Sequence, residues 1–385
     1  MMKVIWDAKS QGNFEADFDC YIAESLLSEG RHVGSAEETL QKYNVSSLDE
    51  LAQKQFERLA EFPQLVKLFQ EIEMPLAKVL WKMEQHGIIL DTKQLQKVGQ
   101  DIDALIISTE AEIKKETGEE LNINSPTQLG TFLAEKEGVP LGRTKTGKYA
   151  TNEAELSQFS EQFAIIAYIL KYRELTKLRS TYVESLIQKV GEDGLIHTTY
   201  NQTLVSTGRL ASSNPNLQNI PVTSKIGLEI KSCFISAPEY SLVSFDYSQQ
   251  ELRILAHLAG EEELIKAFKA NRDVHRLTAS RLFGVGYEDV SKEQRQVGKT
   301  INFGIIYGMS SFGLSAGLHI PQEDAETFIK QFYTSYPSIK TYYDNFLRNA
   351  KIQGSVETML GRRRYVYEDP KRKFIDNSMR RVLMN

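Results

Sequence analysis

The stretch SLVSFDYSQQELRILAHLAG, residues 241–260, constrains the fold of this chain more than any other. Ser241–Asp246 is a short apolar run of the kind that forms a buried strand, and from Gln249 to about Leu258 apolar residues recur at helical spacing. Asp246 stands where strand pattern becomes helix pattern. A carboxylate at the end of a core strand is rigidly held yet open to solvent on one side, as a divalent-cation ligand must be. Two-metal phosphoryl transfer uses such carboxylates to hold ions roughly 3.5–4 Å apart. Taken alone, an Asp here is more simply a helix N-cap. Glu251 and Arg253 shift the balance, because an amphipathic helix would turn both back toward the same cleft.

A second signal is SKEQRQVGKTINFGIIYG, residues 291–308. Ser291 and Gln294 have the spacing of a capping box, which sets the helix start. Arg295, Lys299, Phe303 and Tyr307 then recur every fourth residue as one slowly winding stripe. Two cations followed by two aromatic rings suit a nucleoside triphosphate, with the cations on phosphates and the rings on sugar and base. The competing reading is a helix with Phe and Tyr in the core and its cations solvated.

The chain of 385 residues has the length of two or three domains. It has no apolar run long enough for a membrane span and no signal-peptide pattern at its start, so neither a membrane nor secretion is expected. Cys20 and Cys233 form no ligand pattern and read as buried, reduced thiols of a cytoplasmic protein. The net charge of −5 argues superficially against a polyanionic partner. Its distribution points the other way. Residues 1–70 carry twelve acidic and seven basic side chains, whereas residues 361–385 carry eight basic and three acidic ones. Segregated charge is what holding nucleic acid in one cleft requires, although a solvated basic face has the same composition.

Along the chain, Leu76–His86 reads as a helix and Gly87–Leu90 as a strand. Asp91 and Gln94 cap a long helix over Thr92–Glu116 that stops at Gly118. Ser125 caps a helix with Pro126 in its first turn, ending at Gly138, and a second long helix covers about residues 160–189. Leu195–Thr203 alternates as a strand does, residues 206–221 are turn-rich, and SVETML pairs with RRYVYE as a hairpin. The expected class is α+β, a modest antiparallel sheet carrying two helical lobes.

Six segments in order resemble one family. FDYSQQELRILAHLAG looks like motif A of family A DNA polymerases of the bacterial DNA polymerase I type, and RQVGKTINFGIIYG looks like their motif B. TGRLASSNPNLQNIP, NINSPTQLG, KYRELTKLRSTY and MLGRRRYV also match, so the likeness runs from about Leu76 to Asn385. The resemblance implies a right-hand polymerase fold of thumb, palm and fingers. It implies extension of a primer on template DNA with deoxynucleoside triphosphates and Mg²⁺. The domains it implies are a partial exonuclease-like segment at 1–62, thumb and first palm helix at 63–190, palm at 191–260 and fingers at 261–385. By the same resemblance Asp246 and the carbonyl of Tyr247 hold metal, and Gln249 lies at the nucleotide. Glu251 is the steric gate beneath the sugar. Arg295, Lys299 and His275 contact phosphates, Phe303 packs on the sugar and Tyr307 lies beside the templating base. Lys177, Arg179 and Thr181 contact the duplex, and Arg209, Gln218 and Asn219 contact primer end and template. Arg362–Arg364, Arg380 and Arg381 line the DNA or the structural core, with solvated or structural salt-bridging roles equally open.

The sequence departs from the family in three places. Gln250 stands in motif A where an apolar residue is usual. Motif C, a His-Asp-Glu triplet carrying the other metal-binding carboxylate, does not occur in these residues, which makes a separate C-terminal polymerase segment an expected partner. The exonuclease carboxylate motifs are missing too, and Asp7, Asp17 and Asp19 read as surface charge. Three functions stay open: a DNA polymerase, a non-catalytic DNA-binding remnant of that fold, and a phage-type single-subunit RNA polymerase. Glu251 argues against the last, which needs room for a 2′-hydroxyl.

Overall fold

The computed structural model describes residues 2–29, 31–205 and 207–366. The chain divides into two compact units, one of residues 83–199 and 212–243, the other of residues 1–82, 200–211 and 244–385. Arg380, Arg381 and most of the basic C-terminal stretch lie outside the described residues.

In the first unit, β1 (Ile88–Leu90) is the middle strand of an antiparallel sheet. It pairs on one side with β2 (Leu195–Ile196) and on the other with β3 (Phe234–Ile235). From β1 the chain enters α1 (Thr92–Thr117), where the Asp91 carboxylate accepts from the Gln94 amide and Gly118 ends the helix at φ 71°. α2 (Ala164–Lys177) lies against α1 and continues without a break through a π-helical segment, Leu178–Glu184, to Gln188. Their facing sides close over Leu95, Ile102, Leu175 and Val183, with Cys233 in the same core. Gly99 allows that approach, since a Cβ there would stand 2.9 Å from Val183. Both cysteines are buried free thiols, as expected, and burial raises Cys20 to about 12 and Cys233 to about 11.

In the second unit, α3 (Gln250–Ala259) buries Leu252, Leu255 and Ala256 on one face. They share a core with α4 (Val274–Phe283), α5 (Lys292–Ile306), α6 (Gln322–Ser335) and α7 (Pro337–Gln353), centred on Ile301, Ile305, Phe332, Tyr336 and Tyr343. After α7 comes the expected hairpin of β4 (Ser355–Glu357) and β5 (Arg363–Tyr365). A helix from Pro63 to His86 passes through a π turn at Phe69–Glu73, just before Pro75. A proline inside a helix lacks an amide and crowds the preceding turn, and the wider π turn relieves both problems. The turn also points Glu73 inward, where it takes an amide hydrogen bond from Gln202 at 2.8 Å and pairs with Arg362. Arg363 faces Glu29 at 3.5 Å and covers the Phe62 ring at 3.7 Å. Of the roles left open for Arg362 and Arg363, the structural salt-bridging one is seen.

Three expectations are corrected. Ser241–Asp246 is not a buried strand: the segment has no strand assignment, and Leu242, Val243 and Phe245 are 59, 70 and 93% exposed. Apolar pattern records which residues favour a pleated, half-buried surface, but a strand forms only where another strand meets its hydrogen bonds. Asp19 is not surface charge. It is wholly buried and caps the helix Cys20–Leu27, accepting from the Tyr21 and Ile22 amides and from Ala8 at 2.6 Å. Arg253 turns away from the cleft to cover Phe268 at 4.5 Å and donates to the Ser248 carbonyl at 2.9 Å.

Candidate nucleotide-binding site

The second unit contains an open cleft of about 580 Å³ lined by residues 246–251, His275, Arg295, Lys299, Phe303 and Tyr307. Every nucleotide and metal candidate from the two motifs is among them. The volume lies within the range of small-molecule sites, roughly 300–1,000 Å³.

The α5 side of the cleft begins at a reciprocal capping box. Ser291 Oγ accepts from the Gln294 amide at 3.1 Å, and the Gln294 side chain accepts from the Ser291 amide at 3.0 Å. This start phases α5 so that Arg295, Lys299 and Phe303 face the cleft while Ile301 and Ile305 enter the core. α4 lies close against it through Gly298, where a Cβ would stand 2.4 Å from the His275 carbonyl oxygen. Asp273 caps α4, its Oδ1 accepting from the His275 and Arg276 amides at 2.9 and 3.1 Å. Its Oδ2 accepts from Arg295 Nε at 2.6 Å. Burial alone would raise the Asp273 carboxyl, but Arg295 and the two amides outweigh it and hold the group below the usual carboxylate range. His275 is 3% exposed, and burial lowers it to about 4 against the pull of Asp273, with Arg295 and Lys299 adding to the fall. At neutral pH its ring is uncharged.

Opposite lies the start of α3. Gln249 has φ 54°, a left-handed conformation costing about 1–3 kcal/mol in a non-glycine residue, and it turns the chain from Tyr247 into the helix. Asp246 and Tyr247 are exposed. Glu251 is held from two sides. Arg209 Nη2 donates to its Oε1 at 2.7 Å, the Tyr307 hydroxyl donates to its Oε2, and Arg209 also donates to the Tyr307 oxygen at 3.1 Å. Burial, reinforced by the Glu251 carboxylate, raises the Tyr307 phenol.

The duplex candidates behave differently. Lys177 and Thr181 are exposed on the α2 helix and its continuation, while Arg179 is bound to Asp103 at 2.8 Å and Glu184 at 3.0 Å. The Gln218 side chain accepts from the Ser212 amide at 3.0 Å, and the Asn219 carbonyl accepts from the Tyr182 hydroxyl at 2.6 Å. These residues belong to the first unit, and Arg209 belongs to the second. Sequence reasoning missed Asp273 and Asn302. Asp273 was detectable as an N-cap two residues before His275, whereas Asn302 is singled out only by what it touches.

As a metal site the cleft is partial. Mg²⁺ is commonly held by one or two carboxylates together with substrate phosphates, and Asp246 with the Tyr247 carbonyl suits one such ion. Glu251 is already committed to Arg209 and Tyr307, and no group of three or more His, Cys, Asp or Glu side chains able to hold a metal occurs among the described residues. The donors therefore fit one ion and not a pair.

The second unit thus sets two cations, an uncharged histidine and two rings opposite an exposed carboxylate. Comparison with known proteins gives the family. The sequence profile of DNA polymerase family A matches residues 92–385, and the chain belongs to that family. It is 45% identical over 309 residues to DNA polymerase I of Lactococcus lactis subsp. lactis, covering 80% of this chain and 35% of that protein. It is 40% identical over 368 residues to DNA polymerase I of Geobacillus stearothermophilus, covering 94% of this chain and 40% of that one. The chain thus spans well under half the length of these relatives. The fold matches the POL domain of Pol1 from M. smegmatis, solved in complex with a DNA primer-template and dNTP, with a TM-score of 0.91 at 30% identity. That match covers all of this chain and 72% of the other.

Proposed function

We propose that the chain serves template-directed DNA synthesis, transferring a deoxynucleoside monophosphate from a dNTP to a primer 3′-hydroxyl. The observation that carries this is the convergence of Asp246, Glu251, His275, Arg295, Lys299, Phe303 and Tyr307 on one cleft. Lys299 and Arg295 bind the triphosphate, Arg295 exchanging Asp273 for phosphate oxygens. His275 adds a neutral contact. Phe303 packs on the sugar, and Tyr307 occupies the place beside the templating base. Glu251, fixed by Arg209 and Tyr307, closes the space a 2′-hydroxyl would need, with Gln249 and Gln250 beside it. Lys177, Arg179, Thr181, Arg209, Gln218 and Asn219 hold primer-template DNA. Asp246 with the Tyr247 carbonyl would hold a Mg²⁺, which when bound supplies charge stabilisation to the transferring phosphoryl group.

Two-metal transfer requires a carboxylate beside Asp246 that the described residues do not supply, so we assign that role to residues outside them. The same observation favours a second reading, a DNA-binding polymerase remnant without catalysis. Primer extension with Mg²⁺ and four dNTPs separates them, run on the chain alone and with a motif C fragment from a related enzyme. Extension that Asp246→Ala abolishes supports synthesis, and its appearance only on complementation supports a second carboxylate supplied from outside the described residues. No extension in either case, with DNA binding intact, would leave the remnant.

A further inference from the structure

His275, which lines the cleft, heads a chain of four buried polar side chains whose other three members the nucleotide contacts do not use. Tyr336, Thr278, Asn302 and His275 are 0, 0, 1 and 3% exposed. The Tyr336 hydroxyl lies 3.1 Å from Thr278 Oγ1, which lies 3.0 Å from Asn302 Oδ1, and Asn302 Nδ2 lies 3.0 Å from His275 Nδ1. Gly298 makes this reach possible by bringing α5 against the His275 carbonyl.

The direction of the chain follows from counting protons. Asn302 Nδ2 also faces the Val274 carbonyl at 3.5 Å, a position where an amide oxygen would meet another oxygen. With the amide so oriented, Oδ1 must receive the Thr278 proton. Thr278 then accepts from Tyr336, whose phenol burial keeps protonated by raising it to about 12. At the other end Nδ2 donates to His275 Nδ1, leaving that nitrogen an acceptor. Reversing every bond would deprive the buried Tyr336 proton of Thr278 as its acceptor. Buried polar groups are rarely left unpaired, because the lost hydration is not replaced.

We propose that Asn302, oriented by Thr278 and Tyr336, holds His275 as the Nε2–H tautomer and so makes it a hydrogen-bond donor toward a phosphate oxygen in the cleft. Asn302, Thr278 and Tyr336 are positioning residues: they lie away from the nucleotide and act through His275. A histidine in the opposite tautomer would present a lone pair to phosphate and repel it. The role toward phosphate rests on the polymerase reading. The tautomer does not.

The test is nitrogen NMR of the free chain with ¹⁵N-labelled histidine at neutral pH, the His275 signals being identified by their loss in His275→Gln. An unprotonated Nδ1 and a protonated Nε2 are expected. Thr278→Val, which keeps the side-chain shape, should let the Asn302 amide turn over and lower the Nε2–H population. Thr278→Ser should restore it, and Tyr336→Phe, which removes one hydroxyl, should lower it less. A protonated Nδ1 in the parent chain, or a Thr278→Val spectrum identical to it, would overturn the proposal. In primer extension by the complemented chain, Thr278→Val should raise the dNTP KM about three- to tenfold, because affinity scales with the fraction in the competent state, with little change in kcat. Equal falls in kcat for Thr278→Val and Thr278→Ser with KM unchanged would also count against it. Because the spectra need no catalysis, a chain with the expected tautomer that extends no primer would fail the polymerase reading alone.

Discussion

At the scale of single residues, charge and burial distinguish the exposed Lys299 from the buried His275, Asn302 and Thr278. Lys299 is an exposed cation on α5 facing the cleft, so its contribution should be confined to the nucleotide. A charge-assisted phosphate contact is worth about 1.5–3 kcal/mol, and Lys299→Ala should weaken dNTP binding roughly ten- to hundredfold. Filter-binding of primer-template DNA by the same variant should change less than twofold. His275 makes a prediction about stability. Its folded value of about 4 lies below its ordinary 6.5, so the unfolded chain binds the proton more readily. The stabilisation from keeping the ring neutral is complete above pH 6.5 and lost as pH falls toward 4, a change of about 3 kcal/mol. Asp273, Arg295 and Lys299 face the same ring, and Asp273 works against the shift. Urea titrations from pH 7 to pH 4 should show this slope in the parent and a shallower one in His275→Gln.

At the scale of elements, the pairing of α4 with α5 decides where the cations and the histidine meet. Gly298 is the contact point, and its value is the missing Cβ rather than backbone freedom. Gly298→Ala gains about 1 kcal/mol of helix propensity but drives a methyl to 2.4 Å from the His275 carbonyl oxygen. Overpacking against backbone costs about 1–3 kcal/mol, so the variant should be less stable to urea by about 1 kcal/mol and bind dNTP more weakly. The π turn before Pro75 makes the complementary point. The helix that the sequence begins at Leu76 in fact runs back through Pro75 to Pro63 by local widening, and that widening turns Glu73 toward Gln202 and Arg362.

At the scale of the whole molecule, the net charge of −5 conceals a segregation of sign. Acidic excess is concentrated in residues 1–70 and basic excess in residues 361–385, with Lys177 and Arg179 on the α2 helix and its continuation. Binding of primer-template DNA should therefore fall steeply with salt despite the negative total. If about six phosphates are neutralised, affinity should drop about a thousandfold between roughly 50 and 200 mM salt. Fluorescence anisotropy at several salt concentrations measures the slope, and a flat dependence would mean that the basic residues are spent on internal pairs, as Arg362 and Arg363 are.

What the sequence determined by itself is local. Capping boxes, glycine stops and four-residue spacing placed α1, α5 and the hairpin of β4 and β5, because each depends on hydrogen bonds and side-chain contacts within a few residues. The stripe of Arg295, Lys299, Phe303 and Tyr307 was legible for the same reason, and with the family resemblance it was enough to point to a nucleotide. Tertiary structure decided what depends on a distant partner. Ser241–Asp246 has the composition of a core strand yet stands exposed, since nothing in a strand's own residues supplies the neighbour that would pair it. Arg295 against Asp273, Glu251 between Arg209 and Tyr307, and Asn302 against His275 were invisible for a related reason. Each joins residues between 22 and 98 positions apart, and only tertiary packing brings their atoms within hydrogen-bond reach.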